Sequence, residues 1–128
     1  MVLTALPSHY EGPVPEFPLP DASVRELELW AQTWTLPQAN AWSLPSESWR
    51  QRTVAMWVRV SVRCEDEKAG SSLLAQLHRF ADQVGLTTAG LKEMGWQVAA
   101  DEVAARREPV GEPVRRERRL RAVAGDAQ

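Results

Sequence analysis

The chain is poor in the residues from which catalytic and metal sites are usually assembled. Its 128 residues include one cysteine, Cys64, and two histidines, His9 and His78. A single thiol excludes an intrachain disulfide and fits a reducing compartment; Cys64 reads as a small buried apolar group. A metal centre needs more nitrogen and sulfur ligands than these three side chains offer, so no metal and no cofactor are expected. No glycine-rich loop precedes a Lys-Ser or Lys-Thr pair, which excludes a phosphate cradle of the ATPase type. No base and nucleophile can be paired, and a non-enzyme without a small-molecule substrate is expected. The run Glu65-Asp66-Glu67 places consecutive carboxylates in different directions around a helix, which describes a solvated helix end better than a cation site. No apolar run approaches the roughly 20 residues that cross a bilayer. The N-terminus lacks the basic-then-apolar pattern of a signal peptide, so a cytoplasmic protein without membrane contact is expected. Lysine is scarce too: Lys68 and Lys92 stand against thirteen arginines, a bias that a GC-rich genome or selection for phosphate and carboxylate recognition would produce.

Tryptophan and proline, by contrast, are plentiful. Six tryptophans can each bury on the order of 200 Å2 and anchor a core or a subunit interface. Five of the nine prolines fall in the first 20 residues, where no apolar periodicity exists; residues 1–20 are expected to be a disordered, extended arm. Charge is divided unevenly. Residues 1–105 carry eight basic and thirteen acidic groups, a net of −5, whereas residues 106–128 carry seven arginines and four acidic groups, a net of +3. This division predicts a mildly acidic helical domain at 21–105 and a flexible arginine-rich tail at 106–128.

The expected fold class is all-α, a short helical bundle or set of hairpins with a long central helix. Ser23 and Glu26 form a capping box, and Val24, Leu27, Trp30, Ala31 and Trp34 share one face of the helix that follows, which Pro37 ends. A short turn of helix fits Gln38 to Trp42. Ser46 fits the N-cap of a longer helix whose face carries Trp49, Thr53, Met56, Trp57, Val60 and Cys64. The alternation of Val58, Val60 and Val62 with Arg59, Ser61 and Arg63 is a strand pattern. A lone strand is not stable, so helix is expected here, with Val54, Val58 and Val62 as a second apolar face. Leu73, Leu74, Leu77, Phe80, Ala81 and Val84 form the cleanest helical stripe. Gly85 suits a left-handed C-cap and Thr87 an N-cap for a helix carrying Leu91, Met94 and Val98. Gly90 and Gly95 weaken that helix by roughly 1 kcal/mol each, so a break near Gly95 is expected.

Two segments could contact nucleic acid. Ala81, Gly85, Leu91 and Met94 fit helix-turn-helix spacing, which would turn Thr87, Thr88 and Lys92 toward a DNA groove and put Arg79 near a phosphate; a plain helical hairpin fits the same spacing. The tail residues Arg106, Arg107, Arg115, Arg116, Arg118, Arg119 and Arg121 would give salt-sensitive, sequence-independent DNA binding. A merely solvating tail, or a short helix at 114–123 that folds on a partner protein, remains open. Trp30, Trp34, Trp42, Trp49 and Trp57 read as core or interface rather than a base-stacking platform, because few cations lie between them; Trp30, Trp34, Trp49, Trp57 and Trp96 are assigned to core or oligomer interface.

The segment Glu26-Leu27-Glu28-Leu29-Trp30, the Trp34 to Trp42 connection centred on Pro37-Gln38-Ala39, the long helix after Ser46, and Gly85-Leu86-Thr87 through Trp96 together resemble the small terminase subunits of tailed bacteriophages, especially those infecting actinobacteria. The resemblance covers about residues 26–105. It implies a non-catalytic ring that engages double-stranded viral DNA in the bacterial cytoplasm and presents it to the large terminase subunit, which holds the ATPase and nuclease. In similar subunits the threonine is commonly followed by proline and arginines; here Thr88, Ala89, Gly90 and Leu91 stand there, which weakens direct DNA contact by that helix. The alternative is a dimeric helix-turn-helix transcriptional regulator.

Overall fold

A computed structural model describes residues 3–99, which are mostly helical with one small sheet. In chain order the elements are strand β1 (Thr4–Leu6), helix α1 (Val24–Thr33), helix α2 (Ala39–Trp42), a 3-10 turn (Ser48–Arg50), helix α3 (Gln51–Cys64), helix α4 (Ser71–Val84), helix α5 (Thr88–Met94) and strand β2 (Trp96–Val98). The helices α1 and α4 both pack on α3. Among the described residues no helix is long and apolar enough to cross a membrane.

The first turn of α1 has the expected capping box: Ser23 Oγ accepts from Glu26 N at 3.1 Å, and Ser23 N donates to Glu26 Oε1 at 2.8 Å. Its apolar face is only half used. Trp30 and Trp34 are buried, whereas Val24, Leu27 and Ala31 stay exposed. The central helix is α-helical despite its alternating valines. It begins later than Ser46, however, and has no side-chain cap. The chain first makes two successive turns, through Glu47 N to Leu44 O (2.9 Å) and Arg50 N to Glu47 O (3.0 Å). The core side of α3 is Val54, Ala55 and Val58, all fully buried. The face assigned to Trp49, Thr53, Met56, Trp57, Val60 and Cys64 is mostly half-exposed, with only Val60 buried. The two faces exchange importance because α3 packs on α4 and α1, and Val54, Ala55 and Val58 belong to the same core as the indoles.

Two expectations need correction. The fold is mostly rather than purely α, because β1 and β2 pair in parallel, Thr4 opposite Trp96 and Leu6 opposite Val98. Each strand has three residues, too few to print a period-two pattern. The proline-rich segment is extended, as proline dictates, but residues 3–20 are not a disordered arm. Leu6, Phe17 and Leu19 are buried in the core, Pro15 O accepts from Trp30 Nε1 at 2.8 Å, and Tyr10 N donates to Thr35 O at 3.0 Å. Apolar residues between the prolines hold the segment down, Phe17 and Leu19 alternating with the exposed Glu16, Pro18 and Pro20. The tail at 106–128 lies outside the described residues.

The core is a chain of aromatic rings. Trp34 stands 5.5 Å from both Trp30 and Trp42, Phe17 stands 5.2 Å from Trp30, and Tyr10 stands 5.6 Å from Trp34. Most of these pairs are edge-on, the arrangement that the ring quadrupole favours by about 0.5–1.5 kcal/mol per pair beyond burial.

Candidate nucleic-acid interface

The unit α4–turn–α5 is built as the glycines predict. Gly85 takes the left-handed conformation at φ 80°, and Leu86 N returns to Ala81 O at 2.9 Å, the closing bond of a Schellman motif. Thr87 caps α5: its Oγ1 accepts from Gly90 N at 2.9 Å and donates to Asp82 Oδ1 at 2.6 Å. The helix ends at Met94, with Gly95 at φ 74°, so the break falls where glycine permits it. Gly90 has a second role. A Cβ there would lie 2.5 Å from Asp82 O, so α5 crosses directly against the backbone of α4.

The turn is held from below by three side chains. Trp42 Nε1 donates to Val84 O at 3.0 Å, Gln38 Nε2 to Gly85 O at 2.9 Å, and Arg50 Nη1 to Gln83 O at 2.8 Å. These carbonyls are the ones a helix C-terminus leaves without intrahelical partners. The Arg50 guanidinium also pairs with Glu47 and stacks on Trp49, 4.2 Å from the ring centroid. The clamp fixes where α5 starts. Sequence reasoning missed Gln38, Trp42 and Arg50 as its members, because donor and acceptor lie more than 30 residues apart.

No protein-family model, curated protein or solved structure matches this chain. Its surface is therefore read from its own geometry. Arg79, Thr88 and Lys92 are exposed, and among the described residues neither Arg79 nor Lys92 takes part in an ion pair. Thr87 is half-buried, and its hydroxyl is already committed to the cap and to Asp82. Lys92 is followed by the exposed Glu93, which offsets its charge. Arg106, Arg107, Arg115, Arg116, Arg118 and Arg119 lie outside the described residues. Exposed Arg52 and Arg63 on the outer side of α3 were not singled out from the sequence, although their spacing of 11 residues puts them on one helix face.

The tryptophans divide. Trp30, Trp34, Trp42 and Trp96 are buried, and Trp57 is half-buried against the core. Trp49 is 64% exposed and is no core residue within one chain. The Trp96 ring lies over Gly85, where a Cβ would meet it at 2.6 Å, so the indole seals the helix turn. Charge inside the domain is paired. Arg59 binds Glu26 through Nε to Oε2 at 2.7 Å. That guanidinium, with some help from Ser23, holds the buried Glu26 carboxyl below its ordinary range. On the surface, Arg25 meets Glu65 at 2.7 Å and likewise lowers its pKa.

Proposed function

We propose that this chain is a small-terminase-like packaging adaptor: a non-catalytic subunit that assembles into a ring, engages double-stranded viral DNA in the bacterial cytoplasm and presents it to the large terminase subunit. The observation that carries the reading is the apolar surface a single chain leaves open. Val24 is 76% exposed and Leu27 48%, on a helix whose other flank is in the core; Leu74 on α4 and Trp49 before α3 are exposed as well. Helices apolar beyond what their own chain covers are a mark of subunits covered by copies of themselves. Around a ring, weak DNA contacts add by multivalency, so a tail of modest charge suffices. The arginine-rich tail supplies that charge, and the clamped α4–α5 unit adds Arg79 and Lys92.

A dimeric helix-turn-helix regulator is the second reading, favoured by the close α4–α5 crossing at Gly90. Against it stand the seven-residue length of α5 and its single cation. The deciding measurement is the native mass of the purified chain. A single closed assembly well above a dimer supports the adaptor, a dimer supports the regulator, and a monomer refutes both. Deleting residues 106–128 is expected to leave the assembly intact while weakening salt-dependent DNA binding or binding of the large subunit; disassembly on that deletion refutes the role given to the tail.

A further inference from the structure

Helix α5 depends on its neighbours to exist. It has seven residues, one of them Gly90, and isolated helices this short do not form in water. It packs on α4 along one side and runs into β2 at its end. No slack separates α5 from β2: the helix stops at Met94, Gly95 turns at φ 74°, and the strand starts at Trp96. Whatever holds Trp96–Val98 therefore holds the end of α5.

That strand is held by β1, more than 90 residues earlier in the chain. Thr4 N donates to Gly95 O, the carbonyl of the α5 C-cap residue, at 2.7 Å, and Ala99 N donates to Leu6 O at 2.8 Å. β1 is fastened in turn to the region of α1 and α2. Leu6 is buried in the core, Tyr10 N donates to Thr35 O at 3.0 Å, and Asn40 Nδ2 donates to His9 O at 3.1 Å. The bridge is weakest where it meets β2. Each strand has three residues, parallel pairing is the less stable kind per residue, and a two-stranded sheet is marginal by itself. Thr4, Ala5, Gln97 and Ala99 are exposed, so the ladder lies at the surface. The helical core differs: Val54, Ala55 and Val58 of α3 are fully buried. Surface ladders with few buried contacts open at lower free energy than such a core.

We propose that β1 is a releasable latch: when it leaves β2, α5 and β2 open as one unit while α1, α3 and α4 stay folded. The surface carrying Thr88 and Lys92 is then placed from both ends, by the clamp at the α4–α5 turn and by residues 4–6. The latch stands apart from the packaging reading, and its test needs neither assembly nor DNA.

The test is native-state hydrogen exchange of the full chain, under conditions where exchange reports opening equilibria. The amides of Leu91, Gly95 and Ala99, bonded to Thr87 O, Lys92 O and Leu6 O, are expected to share one opening, at least about tenfold more frequent than that of the α3 amides. Thr4→Pro removes the N–H that reaches Gly95 O, at the first position of a strand, where proline is tolerated. It is expected to speed exchange at Leu91, Gly95 and Ala99 by about fivefold. Ala5→Pro is the control. Backbone groups alternate in direction along a strand, and since Thr4 and Leu6 bond β2, the Ala5 N–H points away; exchange at Leu91 is expected to stay within about twofold. Val60→Ala empties a buried position of α3 outside the cluster that holds Leu6 and Trp96. It destabilises the closed and the latch-open chain alike, so it is expected to speed the α3 amides at least about tenfold and to leave Leu91, Gly95 and Ala99 unchanged. Leu91 exchange unmoved by Thr4→Pro overturns the latch. So does an Ala5→Pro effect equal to that of Thr4→Pro, or a Val60→Ala chain in which Leu91 accelerates with α3, since α5 would then open only when the whole domain unfolds.

Discussion

Replacing Gly90 with alanine sets two physical effects against each other. Helix propensity alone favours alanine inside α5 by about 1 kcal/mol. The packing of α5 on α4 opposes it. The new Cβ would lie 2.5 Å from Asp82 O and 3.1 Å from both Asp82 C and Cα. These are backbone atoms of a formed helix, so no rotamer change relieves the contact. Restoring an ordinary carbon–oxygen separation of about 3.4 Å requires α5 to back away by nearly 1 Å. Overpacking of this kind costs about 1–3 kcal/mol. The same shift lengthens the Gly90 N–H bond to Thr87 Oγ1, an N-cap contact worth about 1 kcal/mol. The expected net result is a loss of about 1–2 kcal/mol, read by urea unfolding followed through tryptophan fluorescence. Equal or greater stability of Gly90→Ala, at an unchanged slope, would refute the close α4–α5 crossing.

Trp42→Phe keeps a ring in the aromatic chain but leaves Val84 O without the indole donor. The expected cost is about 2 kcal/mol, which for a domain of this size lowers the melting temperature by roughly 10 °C; calorimetry showing no change would exclude the clamp. The Glu26–Arg59 pair makes stability depend on acid. Glu26 titrates lower in the fold than in the unfolded chain, so its contribution is fully present above the ordinary glutamate value of about 4.3 and is lost as pH falls through the depressed folded value. Glu26→Gln is expected to flatten the acid limb of a stability–pH profile, and an unaltered limb would show that Glu26 does not carry it. Arg59→Met strands that carboxylate and is expected to cost about 3 kcal/mol at neutral pH, with wild-type stability as the refuting result.

Local signals in the sequence were read correctly wherever the physics is local. The capping box at Ser23, the left-handed turn at Gly85, the Thr87 cap and the end of α5 near Gly95 each depend on bonds spanning five residues or fewer. The helix over the alternating valines also followed, from the instability of an isolated strand. Side-chain burial was legible only in part. The stripe Val24, Leu27, Trp30, Ala31 and Trp34 is genuine as a periodicity, yet only the indoles reach the core, because periodicity names a face without saying how wide a partner covers it. On α3 the choice between two apolar faces depended on where α4 and α1 docked, and no spacing encodes that. Of the candidate contact residues, Arg79, Thr88 and Lys92 are on the surface as expected, whereas Thr87 is spent on its own helix.

The sequence by itself determined the helices and their ends, since propensity, capping and glycine conformation act within a few residues. It also determined the acidic domain and the basic tail, which are matters of composition. Only the tertiary structure decided that the proline-rich segment is packed: Pro15, Phe17 and Leu19 alternate with exposed residues over too short a run to predict it, and Pro15 and Phe17 meet Trp30 of α1. It likewise decided the parallel pairing of β1 with β2 across more than 90 residues, and the capture of the α4 carbonyls by Gln38, Trp42 and Arg50. These contacts become favourable only after the helices have brought distant groups together, and their geometry is a property of the packed core rather than of any window of the chain.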